Sequence, residues 1–402
     1  MTTAGARPRV LMLSPYFLPA EQGGGSVRAI HYLCQHLRPQ VDVVIAARDH
    51  DLRSTTPYGE AARAAARRAT GLDLRYLRPG LAGALALRRL LREPFDLIYL
   101  HSLMAPDLTL QPLLWQLGRR RPPLLIAPRG ELLPGALAQR PRAKQVYLAL
   151  LRATGLLAHA HFHATNADEA AAIRAALGPH RAIHVAPDLP PPATAADAGM
   201  PARPPGPLRV LFLSRIDPIK NLGFALDVLA EAGIAVDFDI AGPIGDDGVW
   251  ADCQARMRRL PPQVRARYLG AVPHAEVAAL LAAHDLLFLP TQGENHGYVV
   301  LEALSAGCPV LLSDRTPWRG LQTLGIGADL PLDDATAFAH MLAAQAALPE
   351  ADRLAQRERC RAYAQAQSRP DAAIAATRAM LEAVIQPNAR MSSTNAGQSG
   401  GR

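Results

Sequence analysis

The chain has 402 residues and, at roughly 150 residues per domain, should fold as two or three domains. Hydrophobic residues make up 49%, which is enough for large cores, whereas aromatic residues make up only 5%, which argues against a nucleic-acid surface built on stacked rings. The net charge of +8 is concentrated in residues 1–200, which hold 24 Lys and Arg against 14 Asp and Glu. Either a phosphate or anionic lipid partner, or a solvated arginine-rich face, fits this excess.

The cysteines and the N-terminus predict a cytoplasmic location. The cysteines are far apart and form no CxxC pair, which is typical of free thiols in a reducing compartment; they are Cys34, Cys253, Cys308 and Cys360. The stretch VLMLSPYFLPA is short and contains two prolines, unlike a signal peptide. No run approaches the ~18–20 apolar residues of a membrane-spanning helix.

The first half reads as alternating strands and helices. RVLMLS, VDVVIAA, FDLIYLH and PLLIAP are short apolar runs of strand length, and VRAIHYLCQHL has the periodicity of a helix. Apolar strands separated by helices predict a parallel sheet that is covered on both faces. We therefore expect a Rossmann-like α/β domain over residues 1–188.

The second half repeats the pattern after a break. Residues 189–207 lie in a Pro-, Ala- and Gly-rich stretch and are expected to be a linker. LRVLFLS, VDFDIAG, DLLFLP and PVLLSD then predict a second α/β domain over residues 208–368. An amphipathic helix over 369–386 and a disordered tail over 387–402 complete the chain. Ligands of such sheets bind at the carboxyl ends of the strands.

The loop TQGENHG follows the strand DLLFLP and precedes a helix predicted to begin near Gly297 or Tyr298. Glu294 lies in the loop, and Glu302 lies about one turn inside the helix, on the face of Tyr298. The amide groups of Gly297, Tyr298 and Val299 would favour a phosphate. Carboxylates on both sides of a phosphate site can accept hydrogen bonds from sugar hydroxyls, so the spacing suits a bound nucleotide sugar. The alternative is that neither residue binds a ligand, and that Glu294 is a loop residue and Glu302 an ordinary surface glutamate.

Two further stretches contain candidate binding residues. Arg215 and Lys220 follow the strand LRVLFLS, where two cations would offset the charge of a diphosphate leaving group, unless they are merely solvated. In EQGGGSVRAI, Gly24 and Gly25 allow a ligand to approach the backbone closely, and Ser26 is expected to cap the following helix. This turn lacks the GxGxxG fingerprint of dinucleotide-binding proteins.

Together, these stretches resemble the retaining glycosyltransferases of the GT-B fold, family 4, over roughly residues 8–386. The E-x7-E spacing of Glu294 and Glu302 is the most specific part, and R-x4-K at Arg215 and Lys220 supports it. The resemblance implies that Glu294 contacts the donor sugar, Glu302 the ribose, and the two cations the diphosphate. It also implies that Gly24–Gly25 face the phosphates and the acceptor.

The resemblance further implies two Rossmann-like domains that face a cleft, with the last helix crossing back to the first domain. Asn295, His296, Gly297 and Tyr298 would bond to sugar and phosphate. The donor would be a UDP- or GDP-sugar, with neither cofactor nor metal required. The acceptor would be a glycan or a polyprenyl-linked glycan, with an anionic membrane as a further partner. The metal-like DFD lies inside a strand run and is interpreted as structural.

The first domain departs from the family pattern at one place. Many members have a histidine after the strand that corresponds to PLLIAP, whereas this chain has PRGEL, with Arg129 and Glu131. His101, after FDLIYL, is a second candidate for the same place. We expect His101 and Arg129 to be catalytic and Glu131 to bind substrate. APRGEL and the basic segment after it resemble a subset of enzymes linked to bacterial surface polysaccharides.

Other functions remain open on the same fold. A nucleotide-sugar 2-epimerase would need no acceptor, and a non-catalytic scaffold would bind no nucleotide. A phosphorylase is less favoured because no sequence feature marks a lysine that would carry a cofactor. An oxidoreductase is less favoured because the GxGxxG turn is absent.

Overall fold

We analysed a computed structural model of the chain. It describes residues 7–20, 22–117, 121–138, 141–179, 181–191, 206–367 and 370–396, the last eleven of these and Pro141 by their backbone alone. The chain divides into two compact units: Met1–Pro192 with Pro370–Arg402, and Ala193–Arg369. Within the described ranges, no helix combines the length and the apolar character that crossing a membrane would need.

The first unit contains a parallel sheet of seven strands. They are β1 (Arg9–Ser14), β2 (Asp42–Arg48), β3 (Asp73–Leu77), β4 (Leu97–Leu100), β5 (Leu124–Ile126), β6 (His161–Ala164) and β7 (Ala182–Val185). Their order across the sheet is β3-β2-β1-β4-β5-β6-β7. The chain thus winds away from β1 in both directions, which opens a ligand crevice between the carboxyl ends of β1 and β4.

Helices cover both faces of this sheet. They are α1 (Gly25–Leu37), α2 (Glu60–Thr70), α3 (Leu81–Leu90), α4 (Pro106–Trp115), α5 (Pro134–Leu137), α6 (Pro141–Ala153) and α7 (Ala167–Leu177). Side chains alternate along β1, so that Leu11 and Leu13 enter one apolar core while Val10 and Met12 enter the core on the other face. Burial on both faces explains the unbroken apolar run RVLMLS.

The second unit repeats this plan with six parallel strands in the order β10-β9-β8-β11-β12-β13. The strands are β8 (Leu208–Leu213), β9 (Val236–Ala241), β10 (Val264–Gly270), β11 (Leu286–Leu289), β12 (Val310–Ser313) and β13 (Gly327–Leu330). The helices are α8 (Leu222–Glu231), α9 (Asp247–Met257), α10 (His274–Ala282), α11 (Tyr298–Ser305), α12 (Ala335–Ala347) and α13 (Glu350–Gln367). Because β8 and β11 are neighbours at the point of reversal, the loops after them flank the crevice of this unit.

The last helix, α14 (Asp371–Ala396), returns to the first unit, as the family resemblance implied. Met380, Leu381 and Val384 are buried in the core that contains Val10 and Met12. The helix also extends through residues 387–396, which the sequence had assigned to a disordered tail. Starting a helix costs much conformational entropy, whereas extending one fixes only one residue for each hydrogen bond gained. The packed part of α14 therefore makes it easier for residues 387–396 to continue the helix. Residues 397–402 lie outside the described residues.

The predicted linker begins too early. Leu189 is buried at 1% exposure and packs in the core of the first unit, so its apolar side chain keeps the chain on that unit beyond residue 188. Residues 192–205 of the predicted linker lie outside the described residues. The two parallel α/β domains themselves are confirmed.

Candidate active site

The loop after β8 holds both predicted cations around one carboxylate. Asp217 caps a 3-10 helix (Pro218–Lys220), because its Oδ1 accepts a hydrogen bond from the backbone N–H of Lys220 at 3.3 Å. Its Oδ2 accepts from Arg215 Nε at 2.7 Å and lies 2.6 Å from Arg215 Nη2. Asp217 therefore ties the guanidinium group of Arg215 to the backbone at Lys220.

The loop after β11 rests on this first loop. Thr291 is fully buried, and its hydroxyl donates to the carbonyl of Ile219 at 2.9 Å. The backbone N–H of Gln292 donates to the same carbonyl at 2.7 Å. Ser313, at the end of β12, donates its hydroxyl to the carbonyl of Thr291. These bonds hold the carboxyl ends of β8, β11 and β12 in one arrangement.

Glu294 and Lys220 meet directly. Lys220 Nζ lies 2.5 Å from Glu294 Oε2, and the two side chains are 15% and 17% exposed. The sequence placed both residues at carboxyl ends of strands without pairing them. Their contact puts a cation for phosphate and a carboxylate for hydroxyl groups side by side.

Gly297 makes the turn into α11 possible. Its φ of +74° is in the left-handed region, which a residue with a Cβ adopts at a cost. A Cβ at this position would lie 3.1 Å from Glu294 Cγ and 3.1 Å from Trp318 Nε1. Trp318 donates its indole N–H to the carbonyl of His296 at 2.7 Å, and the N–H of Glu294 donates to the carbonyl of Arg315 at 3.1 Å. The loop after β12 thus supports the glutamate loop from the other side.

The remaining predicted residues of the second unit lie around this turn. Asn295 and His296 are half-buried in the loop, and the ring of His296 is 4.3 Å from the ring of Tyr298. Tyr298 is buried and begins α11, as predicted, and Val299 follows it. Glu302 is half-buried in the second turn of the helix. The helix N-terminus therefore opens next to Glu294, which supplies donors for an anion beside acceptors for hydroxyl groups.

The glycine turn of the first unit precedes α1. Gly24 has a φ of +65° and occupies the N-cap position, and Gly25 is the first helical residue. Ser26 therefore lies inside the first turn, where its hydroxyl donates to the carbonyl of Gly23 at 3.0 Å. The prediction that Ser26 caps the helix was wrong, because the helix begins one residue before it.

Arg129 lies inside the first unit rather than at its surface. Its side chain is 5% exposed, and its Nη1 lies 2.6 Å from Asp188 Oδ1. Its Nε donates to Nδ1 of His101 at 3.2 Å. Because Arg129 can only donate, Nδ1 is the acceptor and Nε2 of His101 carries the proton. Burial, together with Arg129 and His163 nearby, lowers the pKa of His101 well below its usual value, so the ring is neutral at neutral pH.

Glu131 anchors the loop after β4. Its Oε1 accepts from the hydroxyl of Ser102 at 2.6 Å, and its Oε2 accepts from the N–H groups of Leu103 and Met104 at 2.7 and 3.0 Å. Burial raises the pKa of Glu131, and these hydrogen bonds counteract the effect. Glu131 therefore holds the loop after β4 in place.

A second buried histidine lies behind His101. His163 Nε2 is 2.7 Å from the carbonyl of Ala186, which can only accept, so Nδ1 accepts from the hydroxyl of Tyr99. Burial and the charge of Arg129 lower the pKa of His163 to about 4. These neutral rings belong to the interior of the first unit.

The DFD segment is used inside the second unit. Asp239 is buried on β9 and pairs with Arg267 on β10 and with Nε2 of His284 at 3.1 Å. Burial would raise the pKa of Asp239, but the hydrogen bonds from His284 and Arg267 outweigh it and lower the pKa to about 2. This carboxylate acts within the fold, as its position in a strand run indicated.

Sequence reasoning missed two residues of the second unit's crevice. Asp217 stands between Arg215 and Lys220 and contacts both. Gly245, after β9, lies under Arg215, since a Cβ there would be 2.8 Å from Arg215 Cγ. The segment R-x-D-x-x-K was a usable signal for Asp217, because an aspartate before a proline commonly begins a helical turn.

Each half of the chain matches a family of known proteins. Residues 24–188 match the family described as "Glycosyl transferase 4-like domain", and residues 198–365 match "Glycosyl transferases group 1". A phosphatidyl-myo-inositol mannosyltransferase of Mycobacterium leprae is 32% identical over 143 residues, which are 34% of this chain and 36% of that protein. The chain thus matches about a third of the length of that curated relative.

Solved structures show the same fold. HepE of Anabaena, in complex with UDP and glucose, has a TM-score of 0.69 at 17% identity, over 94% of this chain and 99% of that chain. Sucrose-phosphate synthase of Thermosynechococcus elongatus has a TM-score of 0.66 at 19% identity, over 94% and 99%. The family matches in the two halves support a group 1 glycosyltransferase. The solved structures show that the fold is GT-B.

Proposed function

We propose that the chain is a retaining glycosyltransferase that takes a sugar from a nucleoside diphosphate sugar. The observation that carries the proposal is the contact of Lys220 with Glu294, beside Arg215, at the carboxyl ends of β8 and β11. This arrangement combines charges for a diphosphate with a carboxylate for sugar hydroxyls. The HepE structures, which hold UDP with glucose and UDP-glucose, support a donor of this class.

In this proposal the second unit binds the donor. Arg215 and Lys220 contact the diphosphate, and their charge offsets the negative charge that grows as the glycosidic bond breaks. Glu294 accepts hydrogen bonds from the sugar hydroxyls and Glu302 from the ribose. The amide groups at the start of α11, from Gly297 to Val299, contribute further donors to the diphosphate. Asn295 and His296 complete the contacts to the sugar.

The chemical step follows from this charge distribution. The bond between the anomeric carbon and the diphosphate oxygen breaks while the acceptor hydroxyl attacks on the same face. The acceptor proton passes to the leaving diphosphate oxygen, so no side-chain base is required. Because Arg215 and Lys220 supply the positive charge, the proposed reaction needs no metal ion. Sugar transfer that continues in the presence of EDTA would support this part of the proposal.

The first unit is proposed to bind the acceptor. Gly24 and Gly25 offer an open backbone at the start of α1, and Glu131 holds the loop after β4 in place. His101 is buried, and Arg129 would fix the tautomer that keeps the proton on its Nε2. The acceptor is proposed to be a glycan or a polyprenyl-linked glycan of bacterial surface polysaccharide synthesis, including exopolysaccharide or O-antigen.

A polyprenyl-linked acceptor would place the enzyme at the inner face of the plasma membrane. The outer face of α6 supports this proposal, because Val146 and Leu150 are 69% and 54% exposed and Arg142 lies on the same side one turn away. Exposed aliphatic groups with a cation suit an anionic lipid surface. Sedimentation with phosphatidylglycerol vesicles should show binding that weakens with salt, and a double Val146→Ser, Leu150→Ser variant should bind less.

The experiment for the proposed function measures nucleoside diphosphate release. UDP- and GDP-linked hexoses are incubated with and without glycan acceptors, and the anomeric configuration of any product is read by NMR. Acceptor-dependent release with a retained configuration supports the proposal. An inverted configuration contradicts the retaining mechanism, and conversion of UDP-N-acetylglucosamine without any acceptor identifies the 2-epimerase instead. Binding of nucleotide with no turnover of any donor favours the scaffold.

A further inference from the structure

Asp217 contacts the guanidinium group of Arg215 and the backbone N–H of Lys220. It is buried at 7% exposure, yet it lies on the loop that carries Arg215 and Lys220. Its Oδ2 lies 2.7 Å from Arg215 Nε and 2.6 Å from Nη2, and its Oδ1 accepts from the Lys220 N–H at 3.3 Å. One oxygen of Asp217 thus holds the guanidinium group of Arg215, and the other holds the backbone from which the Lys220 side chain extends.

Arg215 is also held from below. Gly245 lies against its aliphatic part, since a Cβ there would be 2.8 Å from Cγ and 2.9 Å from Cδ. The N–H groups of Gly245 and Asp246 both donate to the carbonyl of Ile216, at 2.8 and 3.0 Å, which ties this loop to the one after β8. The guanidinium is therefore fixed at its head by Asp217 and along its stem by Gly245.

Such fixation matters for an arginine that is 35% exposed. A free arginine side chain loses much rotamer entropy when it binds a phosphate, and a side chain already held in place loses less. Since Asp217 accepts at Nε and Nη2, the Nη1 group of Arg215 stays available for an anion. The Asp217 carboxylate therefore reduces the positive charge of the site but fixes the orientation of the Arg215 guanidinium group.

We infer that Asp217 is a positioning residue that presets Arg215 and Lys220 for the diphosphate of the donor. This inference rests on the proposed function, because it assumes that the two cations bind a diphosphate. It goes beyond the E-x7-E and R-x4-K residues by assigning the arrangement of the cations to the carboxylate that lies between them in the sequence.

Two substitutions separate positioning from helix capping. Asp217→Asn keeps an oxygen for the Lys220 N–H but removes the charge that holds Arg215, whereas Asp217→Ala removes both. Asp334 offers a matched capping control, because it caps α12 by accepting from the Ala337 N–H at 2.9 Å. Asp227 offers a matched ion-pair control, because it pairs with Arg256 and not with Arg215 or Lys220.

The readout is the difference between diphosphate and monophosphate binding, measured by calorimetry with UDP and UMP, and with GDP and GMP. A positioning role predicts that Asp217→Ala weakens the diphosphate about tenfold or more while changing the monophosphate less than about threefold. Asp217→Asn should give an intermediate loss. Asp334→Ala and Asp227→Ala should leave the ratio of the two affinities unchanged.

Gly245→Ala gives a second perturbation of the same arginine, in case Asp217→Ala folds poorly. The added methyl should displace Arg215 and lower the same affinity ratio, whereas Gly223→Ala on α8, which meets only ordinary contacts, should not. Equal losses for diphosphate and monophosphate, or no loss in either variant, would overturn the inference and leave the proposed function standing. A wild-type chain that binds none of the four nucleotides would remove both.

Discussion

The substitution Glu294→Gln separates two roles that the structure gives to one carboxylate. It removes the charge at nearly constant size and leaves Lys220 without its partner at 2.5 Å. Because the two side chains are only 15% and 17% exposed, water screens this pair less than a surface pair. A hydrogen bond between charged groups of this kind contributes about 1.5–3 kcal/mol, which corresponds to roughly a tenfold to hundredfold change in an equilibrium constant.

The expected result is that binding and turnover move in different directions. The diphosphate competes with Glu294 for Lys220, so UDP affinity should stay the same or rise by up to about tenfold in the variant. Turnover should fall by about a hundredfold or more, because a carboxylate aimed at the sugar is lost from the transition state. Calorimetry with UDP and initial rates of diphosphate release from the sugar donor measure the two quantities.

A matched control uses a glutamate of the same unit away from the crevice. Glu276 lies exposed in the first turn of α10, and Glu276→Gln should change neither quantity. The reasoning is refuted if Glu294→Gln loses UDP affinity in step with turnover, because the carboxylate would then support the nucleotide site itself. Normal turnover in Glu294→Gln would remove the assigned role altogether.

Three further predictions concern stability. Asp239→Asn removes the charge that pairs with Arg267 and contacts His284. It should lower the free energy of unfolding by about 1–3 kcal/mol in urea titrations at pH 7, and an unchanged value would contradict the role of the carboxylate in the fold. His163 has a folded pKa of about 4 against 6.5 unfolded, so its stabilising contribution is present above pH 6.5 and is lost as the pH falls to 4. His163→Gln should therefore flatten the pH dependence of unfolding in that window by up to about 1.4 kcal/mol per pH unit, and a parallel profile would contradict the assignment. Gly297→Ala must place a Cβ against Glu294 and Trp318 at a φ of +74°. The variant should lose about 1 kcal/mol or more of stability in thermal unfolding and should bind the donor more weakly. A fully active, equally stable variant would show that the turn is not constrained.

The strands that flank the crevice were predictable because they are buried on both faces. RVLMLS and LRVLFLS become β1 and β8, next to the reversal of strand order, where helices on both sides demand unbroken apolar sequence. Two edge strands, β7 and β13, were not predicted. AIHV, which becomes β7, is half-exposed, and GADL, which becomes β13, contains glycine and aspartate, so neither has the apolar pattern of a strand.

The candidate site was predictable as residue types and not as contacts. The sequence indicated that Glu294 and Lys220 both follow strands, but only the adjacency of β8 and β11 brings them into contact. The burial of Arg129 was not predictable, because it depends on Asp188, which follows another strand of the same sheet. Asp217 and Gly245 were missed since their importance lies in what they contact.

The most direct test of the account is a thermal-shift panel of UDP, GDP, ADP and TDP, each with magnesium and with EDTA. A ligand at a hundred times its Kd adds about 2.7 kcal/mol of stability, which a melting curve resolves. The account predicts a clear rise in Tm with UDP or GDP that persists in EDTA and is lost in the double variant Arg215→Ala, Lys220→Ala. No shift with any nucleotide, or a shift of equal size in that variant, would contradict a nucleoside diphosphate site at the carboxyl ends of β8 and β11.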